Sequence, residues 1–334
     1  MAMTSRARVL NAIQQKEVDR PPISLWMHHP YADRDPEKLT KVLLKFHKDF
    51  DCDFLKVMSF GLYGVVDWGC KISKPPDRYT PSEVIDFAVK KPDDWTHLRY
   101  ISPSEGEYGK QLQVLRNLRP LVEDPYIPTI FSPLTTAKKL AGDVVFEHMR
   151  EYPESLHEGL KTITHTTREF LVSALDAGAD GYFFATQCAT TDFVTSKEYE
   201  EFGTRYDLEV LRAADERAQL RLLHIHGSNI MFEELVSAYP INMVNWHDRT
   251  TYPSIKEARE LFDGCLVGGI DENTTLYKGT DAQIRSQILD AVKQNGSTTG
   301  LVLAPGCVIP PDIDRRRLLV ARKTIDVLQH SQRK

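Results

Sequence analysis

Long apolar runs and cysteines are both scarce in this sequence. Across 334 residues, no stretch approaches the roughly 18 to 20 consecutive apolar residues that a membrane-spanning helix needs, and the opening "MAMTSRARVL" lacks the apolar core of a secretion signal. The five cysteines are odd in number and widely scattered, which argues against a disulfide framework. We therefore expect a cytoplasmic protein with no membrane partner, whose cysteines are free thiols or metal ligands.

Basic charge is scarce as well. The formal net charge of −5 and the pI near 6.1 leave no basic stripe that would neutralise phosphates. This balance argues against a nucleic-acid partner and favours a small-molecule substrate. With 41% hydrophobic and 27% charged residues, the composition is that of a soluble globular enzyme with a sizeable core.

Eight apolar runs recur along the chain, and most are separated by segments long enough for a helix. Eight parallel strands with crossover helices close naturally into a barrel. We therefore predict a single domain over residues 1–334, an α/β protein with a (β/α)8 TIM barrel, an N-terminal helix and extra insertions. The runs are "ISLWM" (23–27), "FLKVM" (54–58), "IPTIFS" (127–132), "GYFFAT" (181–186), "RLLHIH" (221–226), "INMVNW" (241–246), "CLVGGI" (265–270) and "GLVLA" (300–304).

The segments between the runs support this interpretation. The first helix is expected to start at an N-cap of Thr4 or Ser5 and to end before Pro21 and Pro22, and "SPLTTAKKLAG" carries apolar residues at helical spacing. The stretch 61–125 is the longest irregular one and is expected to place insertions over one barrel mouth. An open doubly wound sheet is the alternative, but no glycine-rich phosphate loop follows the first run.

The residues that end the predicted strands are the candidates for chemistry, because active sites of such barrels lie at the C-terminal strand ends. His224 and His226 end the fifth run and point the same way, His247 and Asp248 follow the sixth, and Cys307 follows the eighth. Two imidazoles, a thiolate and a fourth ligand from His247 or Asp248 would satisfy tetrahedral Zn²⁺, while cobalt, nickel or iron would also fit. Alternatively, these are hydrogen-bonding wall histidines and a small buried cysteine.

Side chains near the first two strands form a second group of candidates. Trp26, His28 and His29 would line a substrate pocket with one histidine as general base, or they are surface loop residues. Lys56 either reaches the barrel interior and binds an anionic substrate group, or points outward. In the interior it would need a partner, and Asp53 or Asp271 would serve.

Four further candidates lie at the ends of the fourth and seventh strands. Phe184 and Gln187 are expected to contact substrate, with core packing or helix capping as the alternative. Asp271 and Glu272 follow the seventh run, where one would contact substrate or support a histidine. Asp271 alternatively caps the next helix.

Several motifs together resemble the uroporphyrinogen decarboxylase superfamily, in order and spacing, over nearly the whole chain. The superfamily also contains zinc-dependent corrinoid:thiol methyltransferases and resembles cobalamin-independent methionine synthase. The resemblance implies a TIM barrel, a zinc cofactor, a corrinoid protein as a possible partner and a possible homodimer. The motifs are "DRPPISLW", "SPLTTAKKLAG", "ALDAGADGYFFAT", "LLHIHGSN", "LVGGIDENTTL" and "APGCVIPPD".

The zinc pattern of the methyltransferase branch is His-x-Cys followed much later by Cys. By this resemblance His224 and Cys307 occupy matching places, and His226 replaces the first cysteine. A divalent ion held by two imidazoles and one thiolate carries a formal charge of +1, which makes it a stronger Lewis acid and dampens a bound thiolate. A carboxylate from Asp248 would restore neutrality.

The decarboxylase branch implies an arginine-rich segment just after the first strand, where guanidinium groups bind many substrate carboxylates. Here that segment reads "LWMHHPYADRD", with Arg34 as its only arginine, so uroporphyrinogen would find too few cations. Three hypotheses follow: a zinc-dependent methyltransferase acting on a small molecule, a decarboxylase of a smaller carboxylated substrate, or a non-enzymatic barrel that binds a tetrapyrrole or a corrinoid protein.

Overall fold

A curled sheet of seven parallel strands forms the centre of the computed structural model, which describes residues 3–331. The strand order is β1-β4-β5-β6-β7-β8-β9, and the helices pack outside the sheet as in a (β/α)8 barrel. Separately, β2 and β3 form an antiparallel hairpin. The strands are β1 (Leu55–Val57), β2 (Lys71–Ile72), β3 (Val84–Asp86), β4 (Tyr126–Phe131), β5 (Gly181–Thr186), β6 (Leu220–Ile225), β7 (Met243–Trp246), β8 (Cys265–Ile270) and β9 (Leu301–Pro305).

The first predicted strand, 23–27, is not a regular strand, although it closes the ring between β9 and β1. Leu303 N–H donates to the Pro22 carbonyl at 2.8 Å, and Asp53 N–H donates to the Ile23 carbonyl at 2.7 Å. Ser24 N–H also donates to the Leu303 carbonyl at 3.1 Å, but Pro22 has no N–H and the Ile23 N–H donates to the Asp53 carboxylate at 2.8 Å, so this segment pairs through isolated bridges. The barrel is therefore complete in outline, with side-chain bonds replacing part of one ladder.

Helices connect and cover the strands, and they agree with the predicted helical segments. The first begins at the N-cap Thr4, whose hydroxyl accepts from the Ala7 N–H at 3.2 Å. Among residues 3–331, no helix has the length and apolarity that a membrane crossing demands. The helices are α1 (Ser5–Ile13), α2 (Pro36–Phe50), α3 (Tyr63–Val66), α4 (Gly106–Leu118), α5 (Pro133–Ala141), α6 (Val144–Glu151), α7 (Pro153–Asp176), α8 (Ser196–Tyr199), α9 (Arg205–Arg212), α10 (Phe232–Ala238), α11 (Ile255–Leu261), α12 (Thr275–Lys278), α13 (Asp281–Asn295) and α14 (Arg315–Ser331).

The stretch 61–125 is more regular than its sequence suggested. Besides the β2–β3 hairpin it contains α4, which is the crossover helix between β1 and β4 and packs against α2. Its buried residues Tyr108, Leu112 and Leu115 recur at helical spacing. The many prolines and aromatics around the hairpin obscured this helix in the sequence.

The lower end of the barrel, where the strands begin, contains a closed network of buried charges. Asp53 is fully buried just before β1 and accepts from Arg8 at 2.5 Å and from Arg20 at 2.7 Å. Arg8 also bonds Asp19 at 2.6 Å. Each buried guanidinium therefore has a carboxylate partner, as burial of a charge requires.

Candidate active site

Two histidines and a cysteine from β6 and the loop after β9 converge at the upper end of the barrel. The Cys307 sulfur lies 3.7 Å from His224 Nε2 and 3.5 Å from His226 Nδ1. All three potential ligand atoms lie within 4.8 Å of one another. The alternation of side chains along β6 places both imidazoles inside the barrel, and Gly306 lets the loop after β9 pass close to His247. The side chains predicted to share a cation are thus brought together.

Asn245 on β7 fixes the orientation of the His224 ring. The Asn245 amide nitrogen donates to the carbonyls of Val267 and Pro305, at 2.8 and 3.0 Å, so its oxygen must face His224. That oxygen lies 2.6 Å from His224 Nδ1 and accepts its proton. His224 Nε2 is consequently the unprotonated nitrogen and directs its lone pair towards Cys307, as metal-binding histidines do.

The spacing of these atoms fits a tetrahedral zinc shell. With a Zn–S distance of about 2.3 Å and Zn–N distances of about 2.0 to 2.1 Å, tetrahedral angles put sulfur and nitrogen about 3.6 Å apart. The two observed S···N distances, 3.7 and 3.5 Å, bracket this value. One imidazole tautomer is already set by Asn245, which leaves a nitrogen free to ligate. The donor set and its geometry therefore fit the ion that the resemblance implies.

Electrostatics at the cluster favour a thiolate. Burial raises the pKa of Cys307, but the adjacent imidazoles of His224, His226 and His247, when protonated, outweigh this and hold that pKa well below its usual range, and a cation bound to the neutral imidazoles would act in the same direction. Thiolate is the form that ligates metals. The cysteine is thus prepared to act as a ligand.

His247 lies beside the cluster with a carboxylate behind it. Its Nε2 is 3.4 Å from His226 Nδ1, and its Nδ1 is 3.1 Å from Glu272. Burial lowers the pKa of His247, whereas hydrogen bonds to Cys307 and Glu272 raise it to about 10. Glu272 therefore supports a histidine, one of the alternatives open from the sequence.

Asp248 and Asp271 are engaged elsewhere. Asp248 accepts the Gly269 N–H at 2.9 Å and lies 3.1 Å from the Arg249 guanidinium, and burial raises the pKa of its carboxyl to about 6. Asp271 accepts from the N–H groups of Asn273 and Thr274, both at 2.9 Å, and so caps the turn before α12. Neither carboxylate belongs to the cluster of His224, His226 and Cys307.

An inner cavity of about 100 Å³ lies beneath the cluster. The predicted residues Trp26, His28, Lys56 and Gln187 all line it, together with His224 and Cys307. Phe184 does not line it, because successive strand residues point to opposite faces and Phe184 packs fully buried behind the sheet. Phe183 takes that place, with its ring stacked on His224 at a centroid distance of 5.1 Å.

The two adjacent histidines after the first run separate. Burial, followed by the charges of Lys56 and Lys139, lowers the pKa of His28 to about 3, so the imidazole in the cavity is neutral. His29 packs against Phe46 instead, at a ring-centroid distance of 5.8 Å, and burial lowers its pKa to about 4. A neutral His28 is able to accept a hydrogen bond from a bound ligand, but a pKa of about 3 makes it a weaker base than the general base expected from the sequence.

A second, larger cavity of about 580 Å³ lies outside the first. Lys139 and Gln187 line both cavities, and His226 lines the outer one. Since His224 and Cys307 line the inner cavity, the cluster stands where the two spaces adjoin. A bound ion would therefore be reachable from both sides.

Sequence reasoning missed three residues of this site. Asn245 is a polar residue inside the apolar run "INMVNW", which was a usable signal for an inward hydrogen-bonding role. Lys139 lies on α5 among other polar residues, so nothing in the sequence distinguished it from its neighbour Lys138. The sequence predicted Phe184 instead of Phe183, because a continuously apolar strand does not reveal which face points inward.

Comparison with known proteins places this chain beside methyltransferases. The sequence profile of the family described as "Uroporphyrinogen decarboxylase (URO-D)" matches residues 4–326. The methylcobamide:CoM methyltransferase MtbA of Methanosarcina mazei is 22% identical over 311 residues, which cover 86% of this chain and 89% of that protein.

Two solved structures share the fold. A methyltransferase from Methanosarcina mazei aligns with a TM-score of 0.85 at 19% identity, covering 98% of this chain and 99% of that one. A B12-independent methionine synthase from a Shewanella species aligns with a TM-score of 0.60 at 14% identity, covering 94% and 93% of the two chains. These likenesses support the TIM-barrel architecture that the sequence predicted.

Proposed function

This chain belongs to the uroporphyrinogen decarboxylase (URO-D) family, and from that premise we propose that it is a zinc-dependent methyltransferase acting on a small molecule. His224, His226 and Cys307 would hold the zinc ion. The observation that carries the proposal is the convergence of these three side chains at the boundary between two cavities. When bound, zinc supplies Lewis acidity that activates a heteroatom for methyl transfer.

The surrounding residues suit such a reaction. Asn245 holds His224 in one tautomer, and Phe183 stacks on the same ring, so the imidazole is fixed before any ligand arrives. His28 is neutral in the inner cavity and would accept a hydrogen bond from an acceptor heteroatom, which orients that atom, although a pKa of about 3 makes the imidazole a weak base.

The charge of the site shapes the choice of acceptor. Two neutral imidazoles and one thiolate leave a divalent ion with a formal charge of +1, and Asp248 faces Gly269 and Arg249 instead of compensating it. A more positive ion dampens a bound thiolate and polarises oxygen ligands more strongly. Oxygen compounds are therefore candidate methyl acceptors or donors alongside thiols.

A corrinoid is the proposed carrier of the methyl group. One support is the similarity to MtbA, which is a methylcobamide:CoM methyltransferase. The other is the outer cavity of about 580 Å³, which His226 lines. A corrinoid protein would present its methyl group there while the small molecule occupies the inner cavity. In transfer to a thiol, the cobalt–carbon bond breaks with its electron pair left on cobalt, and the sulfur–carbon bond forms as the thiol proton leaves.

The test is turnover of zinc-loaded protein with methylcobalamin and a thiol, and in reverse with cob(I)alamin and a methoxylated compound. With a thiol we expect loss of the methylcobalamin absorbance and a matching amount of methyl thioether by mass spectrometry. With cob(I)alamin and a methoxylated compound we expect the methylcobalamin absorbance to appear together with the demethylated product. Cys307→Ser should lower the rate by about 100-fold or more, as loss of a metal ligand does. Asn242→Ala, at the opposite end of the barrel, is the control. Metal binding without turnover in either direction would contradict the proposal.

Decarboxylation of uroporphyrinogen is not supported. The only arginine of the segment after residue 27, Arg34, pairs with Glu107 at 2.6 Å and is therefore not free to bind a substrate carboxylate. Carbon dioxide release from a smaller carboxylated compound is the outcome of the turnover experiment that would favour the decarboxylase alternative.

A further inference from the structure

The inner cavity contains two lysines without carboxylate partners. Lys56 is 3% exposed on β1, and Lys139 is half-buried on α5. Within residues 3–331, no aspartate or glutamate forms an ion pair with either lysine: Asp53 is bound by Arg8 and Arg20, and Asp271 caps a turn. Both partners that the sequence suggested for Lys56 are therefore engaged elsewhere.

Weak acceptors take the place of carboxylates around these ammonium groups. Lys56 Nζ contacts the Met58 sulfur at 2.7 Å and lies 4.5 Å from the centroid of the Phe183 ring. Lys139 Nζ donates to the Gly61 carbonyl at 2.8 Å and lies 3.4 Å from the centroid of Phe131. Neutral contacts of this kind do not compensate the cost of burying a charge.

Among the described residues that line the cavity, Cys307 is the only one that can carry a negative charge. The Cys307 thiolate attracts Lys56 at a distance, but a cation bound to that thiolate would compensate its charge. Burial lowers the pKa of both lysines to about 7. A negative ligand would restore their full charge and receive two charge-assisted hydrogen bonds.

A third donor faces the same space. Trp26 is 1% exposed and lines the inner cavity, and its Nε1–H has no hydrogen-bond partner among the described residues. Buried indole N–H groups normally have a partner. Two ammonium groups and one indole N–H thus adjoin a cavity that no carboxylate of the described residues lines.

We infer that Lys56, Lys139 and Trp26 form a subsite for a compact oxyanion, a carboxylate, sulfonate or phosphate, carried by the small-molecule substrate. That the bound anion belongs to the substrate rests on the proposed function. Phe183 lies between Lys56 and His224, contacting both, so the anion occupies one end of the cavity and the metal cluster the other. The cavity has a volume of about 100 Å³, whereas pockets for drug-sized ligands have about 300–1,000 Å³. The substrate is therefore short, with its anionic group a few bonds from the methyl-exchanging heteroatom.

The subsite is tested without metal and without turnover, so that its failure is separate from failure of methyl transfer. Calorimetric titration of chelator-treated protein at about pH 6.5 compares propionate with its neutral isostere propionamide. Ethanesulfonate and ethyl phosphate distinguish the kinds of oxyanion. We expect propionate to bind at least about 10-fold more tightly than propionamide, as two buried cations predict.

Substitutions then assign the preference to residues. Lys56→Met and Lys139→Met should each remove most of the 10-fold preference, and Trp26→Phe should lower it by a few fold. Lys138→Met is the matched control, because the neighbouring Lys138 pairs with Asp143 at 3.6 Å and should leave binding unchanged. Equal binding of propionate and propionamide by the unsubstituted protein would overturn the subsite, a result that needs no variant to fold. An oxyanion preference that persists in both methionine variants would overturn it as well.

Discussion

Buried cations lie at both ends of the barrel, and the two groups differ in their partners. At the lower end Arg8 and Arg20 share Asp53 at 2.5 and 2.7 Å. At the upper end Lys56 and Lys139 face a cavity and contact a sulfur, a carbonyl and aromatic rings. The lower network pairs each guanidinium with a carboxylate, whereas no carboxylate among the described residues pairs with either lysine.

This difference separates stability from function. A closed network of charges holds the irregular first segment in the ring, because Asp53 also accepts the Ile23 N–H at 2.8 Å. Buried cations without a carboxylate partner, beside the cluster of His224, His226 and Cys307, instead destabilise the ligand-free protein and leave binding energy for a substrate. In a TIM barrel the lower face commonly serves stability and the upper face catalysis, and the charges of this chain follow that division.

The largest expected effect is at the lower end. Asp53→Ala leaves two buried guanidinium groups without their shared partner, and we expect the free energy of unfolding to fall by about 3 to 5 kcal/mol. Urea unfolding measures this change in the free energy of unfolding. Glu158→Ala removes an exposed pair with Lys161, which should change the same quantity by at most about 1 kcal/mol. Similar losses in the two variants would erase the contrast between buried and exposed pairs.

The next effect has the opposite sign and lies at the upper end. Lys56→Met removes a buried charge whose burial cost exceeds its attraction to the Cys307 thiolate, so we expect the free energy of unfolding at about pH 6.5 to rise by about 1 to 4 kcal/mol. Urea unfolding of ligand-free protein in chelator gives the measurement. Lower stability of this variant would mean that the lysine has a compensating partner.

The gain from Lys56→Met should depend on pH. Burial lowers the folded-state pKa of Lys56 from 10.5 to about 7. Below pH 7 both states bind the proton and the cost of burial is fully present. Between pH 7 and 10.5 only the unfolded state keeps the proton on Lys56, so the free energy of unfolding of the unsubstituted protein rises with pH. The difference between the two proteins should therefore shrink as the pH approaches 10.5, and a constant difference would contradict the assigned pKa.

A smaller effect compares two asparagines near opposite ends of β7. Asn245 orients His224, and Asn245→Ala should weaken zinc affinity by about 10- to 100-fold, as loss of a residue that supports a ligand does. Asn242 bonds the Arg221 N–H at 2.9 Å near the lower end, so Asn242→Ala should leave affinity unchanged. Competition with a chromophoric chelator measures both. Equal affinities in the two variants would show that Asn245 has no part in the metal site.

The sequence predicted the barrel more completely than it predicted the contacts of the residues around its mouth. Apolar runs located seven strands because buried parallel strands are continuously apolar, but they did not show that the Asp53 side chain takes the Ile23 N–H and that the segment 23–27 pairs through isolated bridges. Alternation placed His224 and His226 on one face. The partners of Lys56 depend on which carboxylates are already engaged, and the interior position of Lys139 depends on how α5 packs. Such tertiary facts have no local signal.

The most direct measurement is X-ray absorption at the zinc edge of protein loaded with one equivalent of zinc. Convergence of His224, His226 and Cys307 predicts one sulfur at about 2.3 Å and nitrogen or oxygen ligands at about 2.0 to 2.1 Å. Cys307→Ser should lose the sulfur while the unsubstituted protein retains it. A zinc shell without sulfur in the unsubstituted protein, or no bound zinc at all, would contradict the metal centre.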